Sequence, residues 1–145
     1  MQAPNTAYRQ VIEAGFAGAN FVRELGITLK DCGPGWVEAS LVLEPRHLQQ
    51  HGFPHGGLIA TMADHCAGGA AMTLRAPGQY VLTLEFKTNF LKTTKATRLL
   101  CRADVLKPGK AFSVVEACVY AEGGERVLLS KTTATLAVMS QTKKE

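Results

Sequence analysis

The stretch His55-Gly56-Gly57-Leu58-Ile59-Ala60-Thr61-Met62-Ala63-Asp64-His65-Cys66-Ala67-Gly68-Gly69-Ala70-Ala71-Met72 decides the fold. It reads as one helix of small and apolar residues with a single carboxylate, Asp64, in its middle. A helix that is apolar on nearly every face belongs in a protein interior. An acid there is costly unless it is hydrogen-bonded, paired or left touching water in a cleft. No basic residue stands three or four positions away to pair with it, so Asp64 reads as the working group of a site rather than as a structural acid. Gly56 and Gly57 open the helix, where the first backbone N–H groups lack intrahelical partners and the dipole favours negative charge. Without side chains, they let a substrate carbonyl approach closely. The plainer alternative is a helix start whose glycines serve tight packing.

Outward from this helix the chain alternates turn signals and strands. Arg75-Ala76-Pro77-Gly78 stops the helix near residue 74. Beyond it, Leu82, Leu84, Phe86 and Phe90 alternate with Thr83, Glu85, Lys87 and Asn89, the period of a strand with one buried face. Further strands are expected over 97–106, 111–121 and 126–139, joined by Lys107-Pro108-Gly109-Lys110 and Glu122-Gly123-Gly124-Glu125. Upstream, residues 6–25 have apolar positions at roughly helical spacing, interrupted by Gly15 and Gly18, so residues 1–26 form a helical segment, broken or double. Ile27–Lys30 and Trp36–Leu43 are strand-like, with Cys32-Gly33-Pro34-Gly35 turning between them and a loop over 46–54. One long helix and an antiparallel meander must cover each other's apolar faces, which makes the chain, residues 1–145, a single α+β domain with a charged tail at 140–145.

Composition narrows the class. Of the 145 residues 46% are hydrophobic and 19% charged, a globular balance. No apolar run has the length of a membrane span. Met1-Gln2-Ala3-Pro4-Asn5 has neither a basic nor an apolar signal region, so no secretory signal is expected. Cys32, Cys66, Cys101 and Cys118 form no C-x-x-C pair and are expected to be reduced and mostly buried, which points to the cytoplasm. Net charge is −1 over residues 1–75 and +5 over 76–145. No aromatic residues interleave the basic ones as a nucleic-acid stacking platform requires.

A helix introduced by His55-Gly56-Gly57, an acid nine residues after the His, and later strands ending in Asn89-Phe90-Leu91 resemble the hotdog-fold thioesterases. The branch is the PaaI-like one, related to phenylacetyl-CoA and 4-hydroxybenzoyl-CoA thioesterases. The resemblance spans residues 36 to 139 in element order and is most specific over 49–64. It implies a curved antiparallel sheet wrapped around the central helix, and dimers, commonly paired into tetramers, with sites at the subunit boundary. It implies an acyl-CoA thioesterase that needs no cofactor or metal, with acyl-CoA as its small-molecule partner. By the same resemblance the Gly57 N–H polarises the carbonyl, the Gln49 side chain assists, and Asp64 is the general base or the nucleophile. Thr83 matches a position whose hydroxyl holds the water or the carboxylate, though it also reads as an ordinary outward strand residue. His55 orients the helix start or contacts the thioester. Gly56 adds backbone approach, and the positive C-terminal half offers Lys92, Lys95 and Arg98 for the CoA phosphates. The chain departs from relatives at Lys92-Thr93-Thr94, where a basic residue, Pro and Ala are common, and at Gln49, where some have Asn.

Spacing adds a consequence. Gly57 and Asp64 lie seven residues apart, about 10 Å along a helix at ~1.5 Å per residue. A carbonyl on one and a water on the other must come within ~3–3.5 Å. Granted both roles, the two residues serving one substrate come from different subunits. Other readings are weaker. His47, His51 and His55 have metal-ligand spacing only on a helix, which Gly52 and Pro54 oppose. His51-Gly52-Phe53-Pro54 has some likeness to the His loop of hotdog dehydratases, but those pair it with Glu. A non-catalytic acyl-CoA sensor is a third possibility, and the lack of a G-x-S-x-G motif disfavours a serine-triad esterase. His65 reads as a packing residue.

Overall fold

The computed structural model describes residues 1–141; the end of the expected charged tail, residues 142–145, lies outside the described residues. Two helices, α1 (Tyr8–Gly18) and α2 (Asn20–Leu25), lead into strands β1 (Thr28–Gly33) and β2 (Trp36–Val42). A short 3-10 turn (Pro45–His47) precedes the central helix α3 (Gly56–Met72). Four long strands complete the chain: β3 (Gln79–Phe90), β4 (Arg98–Lys107), β5 (Phe112–Glu122) and β6 (Val127–Ser140). The N-terminal segment is thus two helices, divided at Ala19. Cys32 and Gly33, expected in the turn, instead pair with Val37 and Trp36, so the hairpin turns on Pro34-Gly35 alone. Gly35 supplies the left-handed backbone (φ 86°) which that tight turn requires.

All six strands are antiparallel, in the order β1-β2-β4-β5-β6-β3, and wrap around α3 as the resemblance implies. The expected meander holds only for β4, β5 and β6. β3 pairs with β6 at the far edge, and residues 91–97 carry the chain back across to place β4 beside β2. Small residues make the wrapping close. Ala63, Ala67, Ala70 and Ala71 of α3 and Ala39, Ala103, Ala117 and Ala134 of the strands are all fully buried, as close-packed interiors allow. Around them Leu41, Met62, Leu99, Val115, Val119 and Leu136 fill the core. Cys32, Cys66 and Cys101 are buried, Cys118 half-buried, and all four are unpaired. Burial pushes the Cys32 and Cys118 thiols above their ordinary range. No helix among the described residues is long and apolar enough to cross a membrane.

Two expectations change in ways that matter for function. Although α3 is apolar almost all round, it is not enclosed all round: Gly57 is exposed and Ala60, Thr61, Asp64, His65, Gly68 and Met72 are only half-buried. The sheet covers one side and leaves this stripe open. The second change concerns β3. A bulge between Thr83 and Glu85 shifts its register against β6. Thr83 lies opposite the buried Leu136, and beyond the bulge Phe86, Thr88 and Phe90 lie opposite Ala134, Thr132 and Ser130, also buried. Leu82 faces the other way, beside Ala137. Leu82, Leu84, Phe86 and Phe90 therefore do not share one buried face, and each is between 42% and 58% exposed.

The C-terminal end of α3 is tied to the β1–β2 turn by the fully buried Thr73, whose hydroxyl accepts from the Gly35 N–H at 2.7 Å and donates to the Ala70 carbonyl at 2.7 Å. Thr73→Val keeps the shape but strands the Gly35 donor. Chemical denaturation should show a loss of about 1–3 kcal/mol; a change under ~0.5 kcal/mol would mean that this tie does not hold the turn.

Candidate active site

The loop before α3 is set by hydrogen bonds around two histidines. The Glu44 N–H donates to His47 Nδ1 at 2.9 Å, and the His55 N–H donates to the His47 carbonyl at 2.9 Å. His55 then caps α3 with extended backbone (φ −63°, ψ 135°). Its Nδ1 accepts from the Gly57 N–H at 2.9 Å, and its carbonyl accepts from the N–H groups of Leu58 and Ile59 at 3.0 and 3.3 Å. His55 therefore caps the helix start with both its side chain and its carbonyl.

This cap occupies the Gly57 N–H, the donor expected for a carbonyl. Three of the four N–H groups at the helix start are taken, the Gly57 N–H among them. The Gly56 N–H has no hydrogen-bond partner among the described residues. The donor left for a ligand is Gly56, not Gly57, because an N-cap side chain reaches the second and third helical amides and passes over the first. Gly56 lines a cavity of about 160 Å³ together with Gln49, Phe53, Phe90 and Lys92. The Gln49 Oε1 accepts from the His51 N–H, which turns its NH₂ group into a fixed donor. Lys92 thus joins Gly56 and Gln49. Lys95 sits beside them with its ammonium 5.6 Å from the Phe53 ring centre. Arg98, at the start of β4 between Val42 and Glu122, does not line this cavity, so its candidacy for the same anion site is not supported by position.

Asp64 lies two turns further along α3, half-buried. Its Oδ1 accepts from the Thr83 hydroxyl at 2.7 Å, which leaves Oδ2 open. Thr83 points inward from β3 and holds the carboxylate; it is not an outward strand residue. The pair stands at the wall of an apolar cavity of about 380 Å³ bounded by α1, α3 and β3. Asp64 also borders a second hollow of about 370 Å³ with Gly57, Thr61 and Phe86. His65 packs edge-on against Phe16, ring centres 4.4 Å apart at 77°. Burial pushes its pKa down, against the pull of the Asp64 charge. It lines the cavity wall, packed against Phe16. The contribution of α1 to this cavity was not foreseen, although the apolar spacing of residues 6–25 was its signal.

Gly56 and Asp64 are eight residues apart, about 12 Å on one helix at ~1.5 Å per residue, and within one protomer they open on different cavities. Comparison with known proteins gives the family. The sequence model of the Thioesterase superfamily matches residues 51–128. Acyl-coenzyme A thioesterase 13 of Homo sapiens is 33% identical over 85% of this chain and 90% of its own length. A thioesterase family protein from Silicibacter pomeroyi superposes with a TM-score of 0.90 at 36% identity, covering 92% of this chain and 99% of that one. A Streptococcus mutans protein solved bound to acetyl CoA gives a TM-score of 0.70 at 25% identity, over 81% of this chain and 91% of that one. The chain belongs to the thioesterase superfamily and is a thioester hydrolase of hotdog fold.

Gly56→Pro tests the Gly56 donor cleanly. Proline is accepted at the first helical position, His55 already has the extended backbone that a following proline requires, and the exposed Phe90 ring 3.2 Å from an added Cβ has room to shift. The variant should keep its helix content by circular dichroism and lose about 10²–10³-fold in kcat. Near-normal turnover would return the role to another group.

Proposed function

We propose that the protein hydrolyses acyl-CoA thioesters, R–CO–S–CoA + H₂O → R–COOH + HS–CoA, at sites shared between two protomers. In each site the Gly56 N–H and the Gln49 amide of one protomer hold the carbonyl oxygen. Asp64 of the other protomer, oriented by its Thr83, drives the attack. Its free Oδ2 either takes the proton of a water that adds to the carbonyl carbon or adds to that carbon itself, giving an anhydride that water then opens. In both routes the C–S bond breaks and the departing sulfur is protonated. Lys92 and Lys95, beside the Gly56 cavity, stand where cations could meet the CoA phosphates. The observation that carries the reading is the Thr83–Asp64 hydrogen bond at 2.7 Å, which presents an oriented carboxylate to an apolar cavity in a thioesterase fold.

Self-association is supported by two surfaces that the protomer leaves bare. One is the open stripe of α3 around Gly57, Thr61 and Asp64. The other is β3, an edge strand of 12 residues with exposed Leu84, Phe86 and Phe90. A long apolar edge is a template for pairing with another strand. Pairing β3 with its copy extends the sheet and brings two antiparallel α3 helices together, Gly56 of one toward Asp64 of the other. On the outer face, exposed Tyr80, Leu82, Phe112 and Met139 offer a surface on which two dimers could pack as a tetramer. Four unpaired cysteines fit a reducing compartment, the cytoplasm.

Thiol release from a panel of acyl-CoAs tests the activity, and Asp64→Ala tests its origin. The variant should fold, bind acyl-CoA and lose at least ~10²-fold in kcat. Hydration of crotonyl-CoA without thiol release would favour a hydratase, and tight binding without turnover a sensor.

A further inference from the structure

The cavity between α1, α3 and β3 has a shape that its packing does not explain. It begins at Asp64 and Thr83 and runs along α3 past Gly68 to Met72, about 12 Å at ~1.5 Å per residue. Three glycines line it. Within a helix, glycine is less stable than alanine and is retained where there is a reason. For Gly69 the reason is packing, since an added Cβ would stand 3.2 Å from Val37 Cγ2. Gly15 and Gly68 have no such reason. A Cβ on Gly15 would meet nothing within 4 Å, and one on Gly68 only Leu136 Cδ2 at 4.0 Å. What these two glycines preserve is the cavity itself. Its other walls suit an apolar guest: Val11 and Phe16 from α1, Val81 from β3, and the His65 ring held edge-on to Phe16.

We infer that this cavity is the acyl chamber, roofed by α1, and that Gly15, Gly68 and Met72 set the size of acyl group the enzyme accepts. The inference rests on Asp64 as the hydrolytic group, because only then does the cavity begin at the scissile carbonyl. Its length, about 12 Å from Asp64 to Met72 at ~1.5 Å per residue, matches an extended acyl chain of medium length. Medium-length acyl groups match that length better than acetyl or long fatty acyl groups do. Gly15 and Gly68 leave the bore open, and Met72 lines the end away from Asp64.

The test compares kcat/KM for acetyl-, octanoyl-, dodecanoyl- and palmitoyl-CoA, with thermal melting as a check on folding. The wild type should prefer octanoyl-CoA to both acetyl- and palmitoyl-CoA. Gly68→Leu and Gly15→Leu should each lower the octanoyl-to-acetyl ratio by at least ~10-fold, the scale of lost methylene binding. Met72→Ala should move the preference the other way and raise the dodecanoyl-to-octanoyl ratio. Gly18→Leu, at a helix glycine with equally open space but outside the cavity, should leave the ratios unchanged. If Asp64-dependent hydrolysis is present and the Gly15, Gly68 and Met72 variants keep wild-type ratios, the chamber lies elsewhere and this inference fails alone. If the wild type releases no thiol from any of the four, the hydrolytic reading fails and the chamber with it.

Discussion

A carboxylate in the middle of an apolar helix must find a donor or water, and here the edge strand supplies the donor. Thr83 reaches Asp64 because the β3 bulge falls directly after it, so that Thr83 and Phe86 both look toward α3 although they stand an odd three positions apart. Bulges re-aim side chains in this way next to active sites. One carboxylate oxygen is then held and the other is left open. The sheet tolerates this half-open acid because it covers α3 from one side only, with small residues at the contact and the Asp64 stripe turned away from the strands.

The same helix sets a distance that one protomer cannot overcome. Its N-terminus holds one unclaimed donor, the Gly56 N–H, since the His55 side chain and carbonyl satisfy the next three. That donor and Asp64 are separated by more than two turns on a rigid rod, whereas a nucleophile and a polarised carbonyl must nearly touch. In the proposed dimer the surfaces left bare are the ones needed: an apolar edge strand and an open helix stripe bring the second half of each site. On this proposal catalysis and assembly share one cause, the spacing of Gly56 and Asp64 along α3.

Much of this was legible in the sequence, for reasons that can be named. The length of α3, its glycine start and the isolation of Asp64 from any base are local features, and the structure has each where the residues put it. Strands β4, β5 and β6 follow from alternation and from turns such as Pro108-Gly109, where a Cβ on Gly109 would lie 2.1 Å from the Phe112 carbonyl oxygen. Non-local choices were not legible. Nothing in Leu82–Phe90 shows that β3 pairs with β6, 40 or more residues away in the chain, rather than with its neighbour β4. The bulge at Leu84 has no glycine or proline to mark it, so simple alternation puts Leu82 and Phe86 on one face when they lie on two. Which of the two glycine amides stays unbonded depended on which one the His55 ring would reach, a matter of one rotamer. Arg98 counted toward a basic half of the chain, but it pairs between Val42 and Glu122 and does not line the cavity that Lys92 lines.

Mixing two inactive variants measures the shared site directly. Asp64→Ala and Gly56→Pro chains, unfolded together and refolded at equal concentration, form hybrid dimers in which one site combines an intact Asp64 with an intact Gly56 and the other has neither. Thiol release from octanoyl-CoA should recover to roughly a quarter of the wild-type rate, because about half of randomly paired dimers are hybrids with one working site each. Activity no higher than that of the separate variants, with hybrids confirmed by native mass spectrometry, would contradict a site built from two protomers.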